Sequence, residues 1–211
     1  MKIKKYVIVC FALLFGLIAC SPEDNLKTES KKEEKKDSSY SIETNHLAVK
    51  TLKQLTDAKG VIGIFDVPEM LTLNKIDSAK MAMVATVMAK NFGILQKDFD
   101  YLKAEIDGSA GTIYYNNDPN NFIFECVIPI KAMPKLKPKK SQVVVLEATR
   151  MLIYNYYGPY QNLFRAYSEI KDYCNKNKIE QTGPLREFYI TDPTVVKDSM
   201  QWLTRIMLPV K

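Results

Sequence analysis

The strongest constraint on this chain is that its second half repeats its first. Gly111-Thr112-Ile113-Tyr114-Tyr115-Asn116-Asn117-Asp118-Pro119 is echoed by the stretch from Gly183-Pro184 through Tyr189-Ile190-Thr191-Asp192-Pro193. Phe122-Ile123-Phe124-Glu125-Cys126-Val127-Ile128-Pro129-Ile130-Lys131 is echoed by Trp202 through Leu208-Pro209-Val210-Lys211. A helical pattern precedes each echo, and an extended run precedes each helix, so the repeating unit is β-α-β-β. One helix and three strands cannot bury their own apolar face. Pairing two such units can, and the expected fold is α+β: one antiparallel sheet with both helices on one face and a ligand groove on the other. Aligning the halves on their Asp-Pro pairs sets Tyr115 opposite Tyr189 and Ile113 opposite Glu187.

The elements follow from local pattern. Residues 60–65 and 70–76 read as strands, and Asp77 or Ser78 as the cap of a following helix. Between residues 79 and 106, Val84, Val87, Met88, Phe92, Leu95, Phe99, Leu102 and Ile106 recur at three and four, which predicts an amphipathic helix ended by Asp107-Gly108. Gly93 marks a point where it is expected to kink or divide. Strands are expected at residues 112–116 and 122–130, then a long one at 143–157 with a break near Glu147-Ala148. Gly158-Pro159 turns the chain into a helix over 160–174 that buries Leu163, Phe164, Tyr167, Ile170 and Cys174. The last strands are 185–190 and 202–210. The Pro/Lys connector 132–140 reads as a solvated loop, with contact to anionic lipid or a partner as the alternative.

The chain starts differently. Lys2, Lys4 and Lys5 precede an apolar run over residues 6–18 that is short of the about 20 residues a spanning helix needs. It closes in Leu17-Ile18-Ala19-Cys20, which resembles a bacterial lipobox. The expectation is a lipoprotein signal peptide (1–19), a lipidated Cys20, and a flexible charged tether to residue 44. That tether has too few apolar residues to offset its ordering entropy. Residues 45–64 are expected to connect it to a domain over 65–211. Ser21 after the cysteine favours an outer-membrane, lipid-anchored location in the cell envelope.

Composition narrows the function. Removing Lys2, Lys4 and Lys5 from 30 basic residues leaves 27 against 24 acidic ones, a spread excess of +3 that does not argue for nucleic acid. His46 is the single histidine, so neither a histidine metal site nor a catalytic triad is available, and no Gly-rich phosphate loop occurs. No cofactor is implied. Cys126 and Cys174 lie far apart in sequence, and their pairing stays open.

Within Leu185-Arg186-Glu187-Phe188-Tyr189-Ile190, a strand puts Leu185, Glu187 and Tyr189 on one face. A carboxylate between Leu and Tyr is either at a solvated edge or lines a pocket. Together with Tyr157-Gly158-Pro159-Tyr160, Gly183-Pro184, Asp192-Pro193, Trp202-Leu203-Thr204 and Leu208-Pro209-Val210, this stretch resembles the GyrI-like small-molecule-binding family. That family includes the effector-binding domains of multidrug-sensing transcription regulators. The resemblance covers residues 65–211 and is stronger in the second half. It implies an aromatic-lined groove with a buried acid, matching Glu187, that pairs electrostatically with cationic, lipophilic ligands. It also implies an alternative, since some relatives hydrolyse cyclopropane-containing compounds with the same acid. Candidate ligand-binding residues are Glu187, Tyr189, Tyr115, Tyr154, Tyr156 and Trp202, with Glu125 as a second acid. No helix-turn-helix is seen. The expected partners are a small molecule and, through Cys20, a membrane, with no nucleic acid.

Overall fold

Alternation along each strand assigns every side chain to one of two faces, and here both faces are packed. The computed structural model describes residues 48–211; the expected signal peptide, Cys20, the whole of the expected tether and the first residues of the connecting segment lie outside them. The leading segment contributes β1 (Val49–Lys50), a 3₁₀ turn (Leu52–Gln54) and β2 (Gly60–Val67). The first unit is β3 (Met70–Ala79), α1 (Val84–Leu102), β4 (Gly111–Tyr114) and β5 (Phe122–Pro129). β6 (Gln142–Leu146) leads to the second unit: β7 (Thr149–Tyr157), α2 (Leu163–Asn177), β8 (Leu185–Tyr189) and β9 (Leu203–Pro209). The break expected near Glu147-Ala148 is the gap between β6 and β7.

The strands form one sheet in the order β1-β2-β7-β9-β8-β4-β5-β3-β6, antiparallel except for the β1–β2 pair. Within it β7-β9-β8 mirrors β3-β5-β4, so the two units meet at β8 and β4. Both helices end the same way, on Lys103 and Lys178 in the left-handed region (φ 52° and 54°).

α1 covers Leu73, Phe124, Cys126 and Ile128. α2 covers Leu152, Tyr154, Ile206 and Leu208. Tyr189 packs against both clusters, so the helices share a face. The opposite face carries a third cluster, including Phe65, Ile113, Val127, Met151, Ile153, Phe188 and Met207, with Leu55 against it. These clusters and strand pairings close among residues 49–210, which makes the described stretch a folding unit with its own core.

Several boundaries differ from the sequence expectation. Asp77 and Ser78 do not cap a helix. They extend β3, paired with Phe124 and Ile123 of β5, and α1 starts only after a 3₁₀ turn at Met81–Met83. Sheet pairing has overridden local capping preference. α1 runs through Gly93 unbroken and stops at Leu102, before Asp107-Gly108. Among the described residues no helix is long and apolar enough to cross a membrane.

The segment expected as a connector is clasped to the sheet. Buried Asn155 donates through Nδ2 to the carbonyls of Thr56 (2.8 Å) and Ala58 (3.0 Å), and its Oδ1 accepts from Arg205 Nε (2.9 Å). Arg205 also reaches Asp57 at 2.6 Å, and Tyr157 Oη donates to the Asp57 carbonyl at 2.9 Å.

Candidate functional site

The two units meet where β4 pairs with β8, and Thr112 lies directly opposite Glu187. Register fixes the internal correspondence. Thr112 pairs with Cys126 and Glu187 with Ile206, and Lys131 to Lys211 sets the offset of the last strands. Thr112 is therefore the counterpart of Glu187, and Tyr114 that of Tyr189. The Asp-Pro alignment, which put Ile113 opposite Glu187 and Tyr115 opposite Tyr189, is off by one residue. With a period of two, that slip moves a side chain to the wrong face. Glu187 thus sits on the pseudo-two-fold axis, and it is where the halves differ: one has a hydroxyl, the other a carboxylate.

Leu185, Glu187 and Tyr189 share a face, as expected, and that face is the one bearing the helices. The correction concerns the side of the sheet. The groove expected opposite the helices does not contain this acid, because Arg186 and Phe188 point that way and Phe188 is part of the third cluster. The acid instead lies over the central strands, in contact with α2.

Glu187 is 1% exposed. Three phenols hold it: Tyr114 Oη donates to Oε2 at 2.8 Å, Tyr189 Oη to Oε2 at 3.2 Å, and Tyr167 Oη, from α2, to Oε1. Tyr189 Oη also bonds Thr112 Oγ1 at 3.1 Å, so the Thr112 hydroxyl supports the same cluster. None of the ion pairs among the described residues involves Glu187. Burial pushes its carboxyl above the usual range, against the three phenolic hydrogen bonds, which favour the anion. Burial, then the adjacent carboxylate, pushes Tyr114, Tyr167 and Tyr189 well above the ordinary phenol value. The phenols therefore stay protonated and act as donors.

Rings extend the cluster. Tyr160 meets Tyr189 edge-on at 5.6 Å between centroids and Trp202 at 5.2 Å, while Tyr114 lies 5.7 Å from Phe122. Thr204, opposite Tyr189 in register, is fully buried, and its hydroxyl has no partner among the described residues.

The sequence candidates separate into three places. Glu187 and Tyr189 are together at the axis, with Trp202 one ring away. Tyr154 and Tyr156 are on the same face but beneath α2: Tyr154 donates to Glu169 of that helix and Tyr156 to the Pro159 carbonyl at 3.0 Å. Tyr115 and Glu125 are on the other face, bonded to each other at 2.6 Å, with Tyr115 45% exposed. Sequence reasoning did not select Tyr114, Tyr160, Tyr167 or Thr112. Strand parity was the available signal for Tyr114 and Thr112. Tyr167 was read only as helix core, and nothing local says that its hydroxyl reaches β8. Cys126 and Cys174 are separate free thiols. Among the described residues no cluster of three or more His, Cys, Asp or Glu side chains is placed to hold a metal ion.

Comparison with known proteins agrees with this geometry at the level of the fold. The sequence matches the GyrI-like small molecule binding domain over residues 81–211. No curated protein matches it. Among solved structures, the C-terminal domain of EcmrR is similar at 20% identity and a TM-score of 0.64, covering 71% of this chain and 96% of that one. A hydrolase from Listeria innocua is similar at 14% identity and a TM-score of 0.54, covering 72% and 92%. SAV2435, solved bound to tetraphenylphosphonium, is similar at 12% identity and a TM-score of 0.50, covering 73% and 94%.

Proposed function

The chain belongs to the GyrI-like small molecule binding domain family, and from that premise we propose that it binds a small lipophilic cation between its two helices, with Glu187 as the charged anchor. The observation that carries this reading is a fully buried carboxylate with phenols for partners and, among the described residues, no basic one. An anion removed from water is costly unless it is compensated. Three phenolic hydrogen bonds compensate it in part and can be exchanged. A cation would complete the compensation, and the rings of Tyr114, Tyr189, Tyr160 and Trp202 offer faces that attract positive charge. The Thr204 hydroxyl is a further group that a polar ligand atom can engage. Tyr167 differs from the other two donors in reaching Glu187 from α2 and not from the sheet.

The proposal includes an address. Residues 1–20 support export and lipid attachment at Cys20, so the ligand would be met in the cell envelope. Transcription control is not part of this reading. SAV2435 carries tetraphenylphosphonium in its solved form, which makes that compound a reasonable first probe.

A thermal-shift screen tests the proposal. It uses residues 48–211 and the Glu187→Gln variant, against lipophilic cations, neutral lipophiles and cyclopropane-containing compounds, with mass spectrometry of each compound afterwards. Stabilisation by cations, lost in the variant and with compounds unchanged, is the expected result. Conversion of a compound by the unmodified protein alone would replace the binding reading with an enzymatic one.

A further inference from the structure

The connector between β5 and β6 is a second, separate surface. Lys131, Lys135, Lys137, Lys139 and Lys140 fall within ten residues, with no acidic residue from 131 to 146. All five are exposed. Glu105 takes Lys131 at 3.3 Å; among the described residues no carboxylate pairs with the other four. Two apolar side chains stand out among them, Met133 at 64% exposure and Leu136 at 52%.

The loop is held, not loose. At its start Ile130 N donates to the Leu71 carbonyl and Lys131 N to that of Glu105, both at 2.9 Å. At its end Asp98 of α1 accepts from the backbone of Lys140 and Ser141, both at 2.8 Å, and from Ser141 Oγ at 2.7 Å. Lys139 lies 4.0 Å from the ring centroid of Tyr101. Asp98, 3% exposed, is thus used to fix a loop that touches little of the core.

From this arrangement we infer that residues 131–140 are a docking surface for an anionic lipid bilayer. Each lysine near a negatively charged membrane adds to the attraction. A nucleic acid would also attract lysines, but its phosphates and sugars offer no apolar bed for methionine and leucine tips, whereas an anionic bilayer takes up charge and apolar tips together. Pro134 and Pro138 carry no backbone N–H, so the loop has two fewer donors to strip of water there. The surface lies away from Glu187, and the inference rests on residues 131–141, not on the lipid anchor or the ligand reading.

Flotation with vesicles tests it, using residues 48–211 and vesicles of phosphatidylcholine alone or mixed with phosphatidylglycerol. The expected result is binding only to the phosphatidylglycerol vesicles, weakened by salt. Replacing Lys135, Lys137 and Lys140 with Gln should lower the partition coefficient on the order of 100-fold. The same change at Lys171, Lys176 and Lys178, on and beyond the end of α2, should leave it within a few-fold. Met133→Ser with Leu136→Ser should weaken binding while leaving the lysines in place. Three results would overturn the inference: equal binding to both vesicle types, equal loss from the two lysine triplets, or full binding by the Met133/Leu136 variant. The last would mark a charge-only site for an acidic macromolecule.

Discussion

Removing the Tyr167 hydroxyl, with its ring kept, is the sharpest test of how Glu187 is held. Tyr167→Phe leaves the packing of α2 on the sheet in place and deletes one of three donors to a buried carboxylate. Hydrogen bonds to a charged group contribute about 1.5–3 kcal/mol, and the lost donor has no solvent replacement at a site this buried. In a domain of this size that corresponds to a fall in melting temperature of about 3–10 °C. The loss should depend on Glu187, so in Glu187→Gln, where the acceptor is neutral, the same substitution should cost about 1 kcal/mol or less. The coupling in a double-mutant cycle is then about 0.5–2 kcal/mol or more. pH supplies the sign. Burial raises the folded carboxyl above its unfolded value, so the folded state holds a proton that the unfolded state releases. The stability associated with that proton is fully present below the unfolded value and is lost as pH rises through the folded one. Tyr167→Phe removes a bond that favours the anion, raising the folded value further and widening the window of loss. Glu187→Gln should flatten it. Chemical denaturation of the four proteins from pH 4 to pH 8 gives every term. Zero coupling, or identical pH profiles for the native protein and Glu187→Gln, would refute the reasoning.

Three further outcomes follow from geometry elsewhere. Gly111→Ala places a methyl group 2.3 Å from the Glu187 carbonyl oxygen and 2.7 Å from the Phe188 ring, and should cost on the order of 3 kcal/mol or more in a thermal melt. Gly93→Ala has open space in the middle of α1 and should raise stability by about 0.5–1 kcal/mol. Asn155→Ala removes both donors to the Thr56 and Ala58 carbonyls and the acceptor for Arg205, so the domain should lose about 2–4 kcal/mol in chemical denaturation.

The fold was legible because the repeat imposes it: neither unit can bury its helix alone, and the letters that echo are those of the paired strands. Alternation along 185–189 also gave the shared face of Leu185, Glu187 and Tyr189. Two things were not legible. The correspondence between halves depends on strand register, which the loops after β4 and β8 obscure, and one residue of slip sent attention to Tyr115 and not Tyr114. The side of the sheet depends on where α2 lies, and only that placement brings Tyr167 to Glu187. The helix start failed for a related reason, since Asp77 and Ser78 have good caps but better partners in β5.

The central claim is that Glu187 anchors a cationic ligand. Calorimetric titration of residues 48–211 with tetraphenylphosphonium and with a neutral compound of similar shape tests it directly, in the native protein and in Glu187→Gln. The account predicts that the native protein prefers the cation by about tenfold or more, at least about 1.4 kcal/mol, and that the preference disappears in the variant while the neutral compound binds both alike. A cation preference that survives in Glu187→Gln would contradict it.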